Sequence, residues 1–261
     1  MEVAKIHMAK SSYNNEMIKK RRKRKAVKKL VVFFVLLFSV LITLCFKLPY
    51  FNIKQIVVFN NKIVSKEEVI KLANINKGTN LFYQNFASNK KLLMNNPYIS
   101  EAKFSRKIPN IVEISITERK AEFYCSDGPK FAIFDNTLMA LELKDNINNM
   151  KLVKIDGIDI KTIKLGKALG NNEDEKVKII NTISDLIARQ KDGVPNMTSI
   201  DLTNTKDLKI YYGDIYVILG TEYGLEDKLN KAINILQADA VKVSKGYIDV
   251  SFDTPVVSIQ R

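Results

Sequence analysis

The side chains that most often do chemistry are few here, and their positions restrict what the chain can catalyse. The single histidine is His7 and the two cysteines are Cys45 and Cys125. Nucleophilic sites built on serine or cysteine need a nearby base, usually histidine, and histidine- or cysteine-rich zinc sites need several such ligands. The region after residue 46 has one cysteine and no histidine, so these chemistries are excluded there, and no metal or cofactor is expected. Carboxylates remain. A hydrolase working with two acids needs them about 5 to 9.5 Å apart in a cleft. Asp135, Glu142, Asp201 and Asp249 are available, but turn and surface roles account for each. Cys125 is expected to be buried and inert, since Cys45 lies in a different part of the chain and cannot pair with it inside one folded domain.

The stretch that positions everything else is residues 30–46, LVVFFVLLFSVLITLCF, with no charge, proline or glycine. As a helix rising about 1.5 Å per residue it reaches about 26 Å, close to a hydrocarbon core of about 30 Å. Leu48, Pro49, Tyr50 and Phe51 extend it if Lys47 snorkels, and Tyr50 and Phe51 suit the membrane interface. A cleaved signal peptide fits badly, because the preceding basic region is too long and no small-x-small site follows. Leu44 before Cys45 is too bulky for a lipoprotein signal, and a core helix would show a polar stripe. One membrane-spanning helix over residues 30–50 is the reading.

Residues 19–29 hold nine basic side chains in eleven positions. By the positive-inside rule this end stays in the cytoplasm and the rest of the chain, from about residue 51, is extracytoplasmic. The net charge of +14 is largely local: residues 1–29 carry eleven Lys/Arg against Glu2 and Glu16, or +9, leaving 31 basic and 26 acidic residues elsewhere. Anionic lipid is the expected contact of the basic tail, residues 1–29, which is read as disordered; no nucleic-acid partner is expected.

Beyond the span, residues 53–59 are rich in β-branched and aromatic side chains and predict a strand. Ser65 three before Glu68 forms a capping box for a helix to about Ala73. After Gly78 a second helix is predicted over 83–95, closed by Asn96-Pro97. Strands follow at 98–106 and 111–118, the latter alternating Val112, Ile114 and Ile116 with polar residues. That order, strand-helix-helix-strand-strand, makes a small α/β module over residues 51–119. Residues 120–261 read as a second domain: a meander at 121–126, 130–134 and 137–143, a strand at 152–155 before the Asp156-Gly157 turn, then strands at 199–203, 208–212, 215–219 and 247–252. Residues 256–259 extend the sheet. Two helices interrupt it, at 173–191 (stopping at Gly193) and at 225–240. The fold class is α+β: a single transmembrane helix, a β-α-α-β-β module and a mixed β-sheet domain with flanking helices.

Several of these segments resemble one family. Residues 96–120, with Pro97, Ile99, Ala102, Arg106, Pro109, Ile111, Glu118 and Arg119, are similar to the end of the POTRA domain of the FtsQ/DivIB family of bacterial division proteins. Gly78, Asn80, Leu81 and Phe82 resemble that family's Gly-x-Asn-Leu-Phe turn. Phe134-Asp135 with Leu138, the strand ending in Gly220 with Leu225, Lys228 and Leu229, and Ile248-Asp249-Val250 resemble its second domain. The sequence departs from the family in lacking a proline before the Gly157 turn.

The resemblance implies a non-enzymatic bitopic divisome scaffold at the septum. It would link single-pass coiled-coil division proteins of the FtsB/DivIC and FtsL type and help regulate septal peptidoglycan synthesis. It implies further that the closing strand is the partner edge, with Tyr247, Ile248, Val250, Phe252 and Thr254 as the partner-binding residues. In that reading Ile248, Val250 and Phe252 face the core, while Tyr247, Thr254 and an edge proline, Pro255, are better placed for contact. The POTRA-like module would offer a surface to other membrane division proteins, with Arg106, Lys107 and Lys120 forming no more than a solvated basic rim. A POTRA-bearing export or assembly chaperone and a carboxylate-based cell-wall hydrolase are the alternative readings.

Overall fold

The computed structural model describes residues 2–171, 173–189, 194–237 and 245–260. It opens with α1 (Glu2–Lys47), a helix of 46 residues. This corrects the expectation that residues 1–29 are disordered. The segment holds no glycine or proline and is rich in Lys and Arg, with Ala and Met among the rest, so nothing interrupts the backbone ladder once the apolar half is helical. Within it Arg21–Lys47 is long and apolar enough to cross a membrane, the single such helix among the described residues. Its apolar side chains from Leu30 to Leu44 lie bare on the surface of the protein. A core helix would be buried, so lipid is the medium that covers this one.

Contacts gather the chain into two compact units, one of Met1–Val57, Asn74–Asn89 and Phe104–Ile114, the other of Val58–Ala73, Lys90–Lys103 and Ser115–Arg261. After α1 come β1 (Gln55–Phe59), α2 (Lys66–Leu72), α3 (Phe86–Leu93), β2 (Ile99–Lys107) and β3 (Ile111–Glu118), and the three strands are ordered β1-β3-β2 in one sheet. The element order is the one that the sequence predicts. The Ser65 hydroxyl accepts the Glu68 N–H at 3.2 Å and starts α2. The second helix begins later than expected, at Phe86. Residues Leu81–Tyr83 form a 3-10 turn instead, capped by Asn80, whose Oδ1 accepts the Phe82 N–H at 2.8 Å.

Within the first unit Arg106 is more than part of a solvated rim. Its Nε donates to the Leu81 carbonyl at 3.2 Å and its Nη2 to that of Gln84 at 2.6 Å, and its guanidinium lies 4.2 Å from the centroid of the Phe86 ring. Within the second, Glu118 accepts backbone N–H groups from three successive residues, Lys62, Ile63 and Val64, at 2.9, 2.9 and 2.8 Å. One carboxylate thus satisfies the chain leading into α2.

The second unit is dominated by a nine-stranded sheet. Its strands are β4 (Phe123–Asp127), β5 (Lys130–Phe134), β6 (Ala140–Lys144), β7 (Val153–Asp156), β8 (Ser199–Asp201), β9 (Leu208–Tyr212), β10 (Ile215–Gly220), β11 (Lys245–Asp249) and β12 (Val256–Gln260). Their order is β12-β11-β10-β9-β8-β7-β4-β5-β6. The pairs β7/β8 and β10/β11 are parallel, which requires a crossover in each connection. The crossovers are α4 (Glu175–Arg189) and α5 (Leu225–Leu236). Both crossovers step the same way across the sheet, so right-handed connections put both helices on one face. There Val177, Ile180 and Ile183 of α4 and Leu229, Ala232 and Leu236 of α5 share a core with Ile210, Val217 and Ile248. The C-terminal extensions expected for the two helices, including Lys191, Gly193 and Ala240, lie outside the described residues.

Candidate functional site

The four carboxylates that could serve catalysis are each committed to hydrogen bonds, Asp201 and Asp249 with near neighbours in sequence and Asp135 and Glu142 also with distant residues. Asp135 is buried; its Oδ2 accepts Arg119 Nη1 at 2.7 Å, and its Oδ1 accepts the Thr137 N–H, the Thr137 hydroxyl and the Met139 N–H at 2.8, 2.8 and 2.9 Å. Glu142 accepts the Tyr98 hydroxyl at 2.5 Å. Burial, reinforced by that carboxylate, pushes the Tyr98 phenol well above its ordinary range. Burial acts to raise the Asp201 carboxyl, but hydrogen bonds from Thr203 and the charge of Lys209 outweigh it and hold it low. Asp249 accepts from the N–H and hydroxyl of Ser251 at 2.9 and 2.6 Å.

Cys125 is buried, and burial pushes its thiol up to about 11, with the charges of Asp156 and Asp159 acting in the same direction. The thiolate is the reactive form. In a Cys45→Ser chain, folded protein should therefore resist maleimide labelling that goes to completion in denaturant. Labelling of the folded chain at the rate of a free thiol contradicts this.

The sheet edges are the places where backbone groups are open to a partner. β11 is not one of them: β10 pairs with it on one side and β12 on the other. The expectation that the closing strand at residues 247–254 forms the free edge is corrected here, because the chain turns back after β11 and adds one more strand. Of the five residues proposed for partner contact, Ile248 and Val250 are buried in the helix-covered core. Tyr247 lies on the opposite face, its ring stacked on Tyr216 with centroids 5.7 Å apart, and Tyr216 is 5.8 Å from Tyr211. Phe252, expected to face the core, is 68% exposed. β11 ends at Asp249, so Phe252 and Thr254 belong to the connection into β12, where both are exposed.

β12 terminates the sheet. Val256 and Val257, successive and therefore on opposite faces, are 50% and 44% exposed. The other edge, β6, is partly covered: the Ala140 N–H donates to the Lys167 carbonyl, the Gly166 N–H donates to the Ala140 carbonyl, and Met139 bridges Ala168. The sequence pattern predicts β12 only as an extension of the sheet. The signal that marks it as the edge is an apolar pair directly after Pro255, which breaks the alternation of a strand with one buried face.

The residues that carried the family resemblance have geometric reasons to be what they are. Asn80 caps the 3-10 turn, Glu118 gathers three backbone N–H groups, and Arg119 pairs with buried Asp135. Residues 51–119 match the family model for the POTRA domain, FtsQ-type. Over 254 residues the chain is 42% identical to the cell division protein DivIB of Clostridium tetani, covering 96% of each. The chain belongs to the DivIB/FtsQ family of cell-division proteins. It is 40% identical to the DivIB of Clostridium acetobutylicum over 95% of this chain and 98% of that one. Similarity extends to the cell division protein FtsQ of Syntrophotalea carbinolica, at 22% identity over 77% of this chain and 70% of that protein. The departure before Gly157 leaves this assignment intact: Gly157 itself adopts a φ of +88°, a region that glycine enters readily.

Proposed function

We propose that the chain is a non-enzymatic, single-pass divisome scaffold whose β12 edge receives an added strand from a coiled-coil division protein of the FtsB/DivIC or FtsL type. Through that complex it helps regulate septal peptidoglycan synthesis. The N-terminus is cytoplasmic and the β-rich part extracytoplasmic, as the basic block before the span requires under the positive-inside rule. The observation that supports the reading best is the position of β12: last in the sheet, with apolar side chains exposed on both faces. A partner strand laid along it gains main-chain hydrogen bonds, and its side chains meet Val256 or Val257, with Tyr247, Phe252 and Thr254 close at hand in β11 and the connection.

Proline at Val250 would report on folding and not on the edge, because that residue is buried and its N–H already donates to the Ile218 carbonyl at 3.0 Å. The informative pair is Val257→Pro and Ser258→Pro. Adjacent residues of a strand point their N–H groups to opposite sides, so one of the two variants removes an outward donor. That variant is expected to lower capture of the full chain by the coiled-coil partner about ten-fold or more, with cooperative unfolding retained. Wild-type capture by both, each still folded, would sink the edge proposal.

A further inference from the structure

The membrane helix does not end in a flexible tether. Leu48 donates its N–H to the Leu44 carbonyl at 2.9 Å, and a 3-10 turn, Pro49–Phe51, follows at once. The last carbonyls of a helix lack intrahelical partners, and here two of them are taken by a residue more than thirty positions later. Asn80 Nδ2 donates to the carbonyls of Cys45 and Phe46 at 3.0 and 3.2 Å, while its Oδ1 holds the Phe82 N–H. One side chain thus fastens the turn Leu81–Tyr83 to the end of α1.

The fastening assembles an aromatic cluster from three parts of the chain. Phe46 of α1 lies 6.0 Å from Phe82 and 5.1 Å from Tyr83, Phe51 lies 5.4 Å from Phe82, and Tyr50 lies 5.3 Å from Phe51, all between ring centroids. The outermost rings are bare: Tyr83 is 66% and Tyr50 61% exposed. Tyrosines with an apolar ring and a polar tip favour the headgroup level of a bilayer. This group sits where an apolar helix of that length leaves the hydrocarbon.

We propose that the turn Leu81–Tyr83 inserts among the lipid headgroups around the C-terminal end of α1. Tyr83 there completes, with Tyr50 and Phe46, an aromatic belt that holds the turn at the bilayer surface beside the end of the helix. The ligand is the lipid interface itself, reached as a continuation of the surface of the spanning helix. The inference rests on the reading that α1 crosses the bilayer, and the experiment separates the two.

The chain contains no tryptophan, so each of three single-tryptophan variants of the full chain reports one position. These are Tyr83→Trp, Phe38→Trp at the middle of the apolar run, and Tyr223→Trp, at the exposed tip before α5. They are reconstituted into phosphatidylcholine–phosphatidylglycerol vesicles containing lipids brominated either high or low on the acyl chain. Tryptophan at 83 is expected to emit at shorter wavelength than at 223 and to lose about half its intensity or more to the shallow bromines, with less loss to the deep ones. Tryptophan at 38 should be quenched chiefly by the deep bromines, and that at 223 by neither. Water-like, unquenched emission from position 83 beside deep quenching at 38 overturns the headgroup insertion and leaves the span standing. That is the result expected if the aromatic turn serves a protein partner. Absence of quenching at 38 overturns the span and the insertion together.

Discussion

Replacing Gly157 with alanine is expected to lower the thermal midpoint of the full chain in detergent by on the order of 10 °C, the net of two independent costs. The first is conformational: Gly157 has φ +88°, which an L side chain adopts at a cost of about 1 to 3 kcal/mol. The second is steric. A Cβ there would fall 2.4 Å from the backbone N of Thr203 and 2.6 Å from the carbonyl carbon of Leu202. A flexible side chain could swing away, but this is main chain. The Leu202 N–H is bonded to the Asp156 carbonyl at 3.0 Å and the Thr203 N–H to Asp201 Oδ1 at 2.9 Å. Moving either strand aside breaks the parallel pairing of β7 and β8, adding about 1 to 3 kcal/mol. Gly213 provides the control. It also has a positive φ, +67°, but a Cβ there meets nothing within 4 Å, so Gly213→Ala should carry the conformational cost alone. Equal midpoints for the two variants would show that the close approach at Gly157 has no energetic weight.

Asp135→Ala is expected to be the most damaging substitution of a charged residue, at about 3 to 5 kcal/mol. Asp135 is buried and accepts four hydrogen bonds, one of them from Arg119, whose side chain is 21% exposed. Truncation leaves a mostly buried guanidinium unpaired, together with the N–H groups of Thr137 and Met139 and the Thr137 hydroxyl. Asp135→Asn keeps an acceptor at Oδ1 and loses the charge, so its cost should be smaller. Arg119→Ala should fall below Asp135→Ala as well, because the remaining carboxylate keeps three donors. Denaturant unfolding of the three variants checks the order. An Asp135→Ala chain as stable as Arg119→Ala would mean that the Thr137 and Met139 bonds contribute nothing.

Much of this architecture could be read locally. The 3.6-residue spacing of Val177, Ile180 and Ile183, and of Leu225, Leu229, Ala232 and Leu236, marks helix faces that the structure buries against the sheet. The alternation of Val112, Ile114 and Ile116 likewise marks a strand that buries those three residues. What escaped local reading was strand order. Whether β11 is an edge depends on a turn after Asp249 and on the pairing of β12, and neither is encoded in the pattern of β11 itself. The same turn carried Phe252 out of the alternation that assigned it to the core. Charge and polarity also masked a helix: residues 2–29 lack an apolar face, yet they continue α1 because the apolar span nucleates it. Asp201 and Asp249 close the turns after their strands, as the sequence suggests, whereas Asp135 is buried and both it and Glu142 hold partners from distant positions, which spacing alone does not reveal.

The aromatic turn at residues 81–83 was visible only as a family-like motif. Its physical role depends on Asn80 reaching the end of α1, a contact across 34 and 35 residues of sequence.

Amide hydrogen exchange reads directly whether β12 is the strand that accepts a partner, as proposed. The full chain in detergent is compared with and without the strand-forming segment of the coiled-coil partner. Exchange at the amides of β12 that point away from β11, which include one of Val257 and Ser258, is predicted to slow about ten-fold or more on binding, while the β6 edge at Leu143 and Lys144 is unchanged. Protection that appears at β6 or along β2, with β12 exchanging as it does in the free chain, would contradict the account.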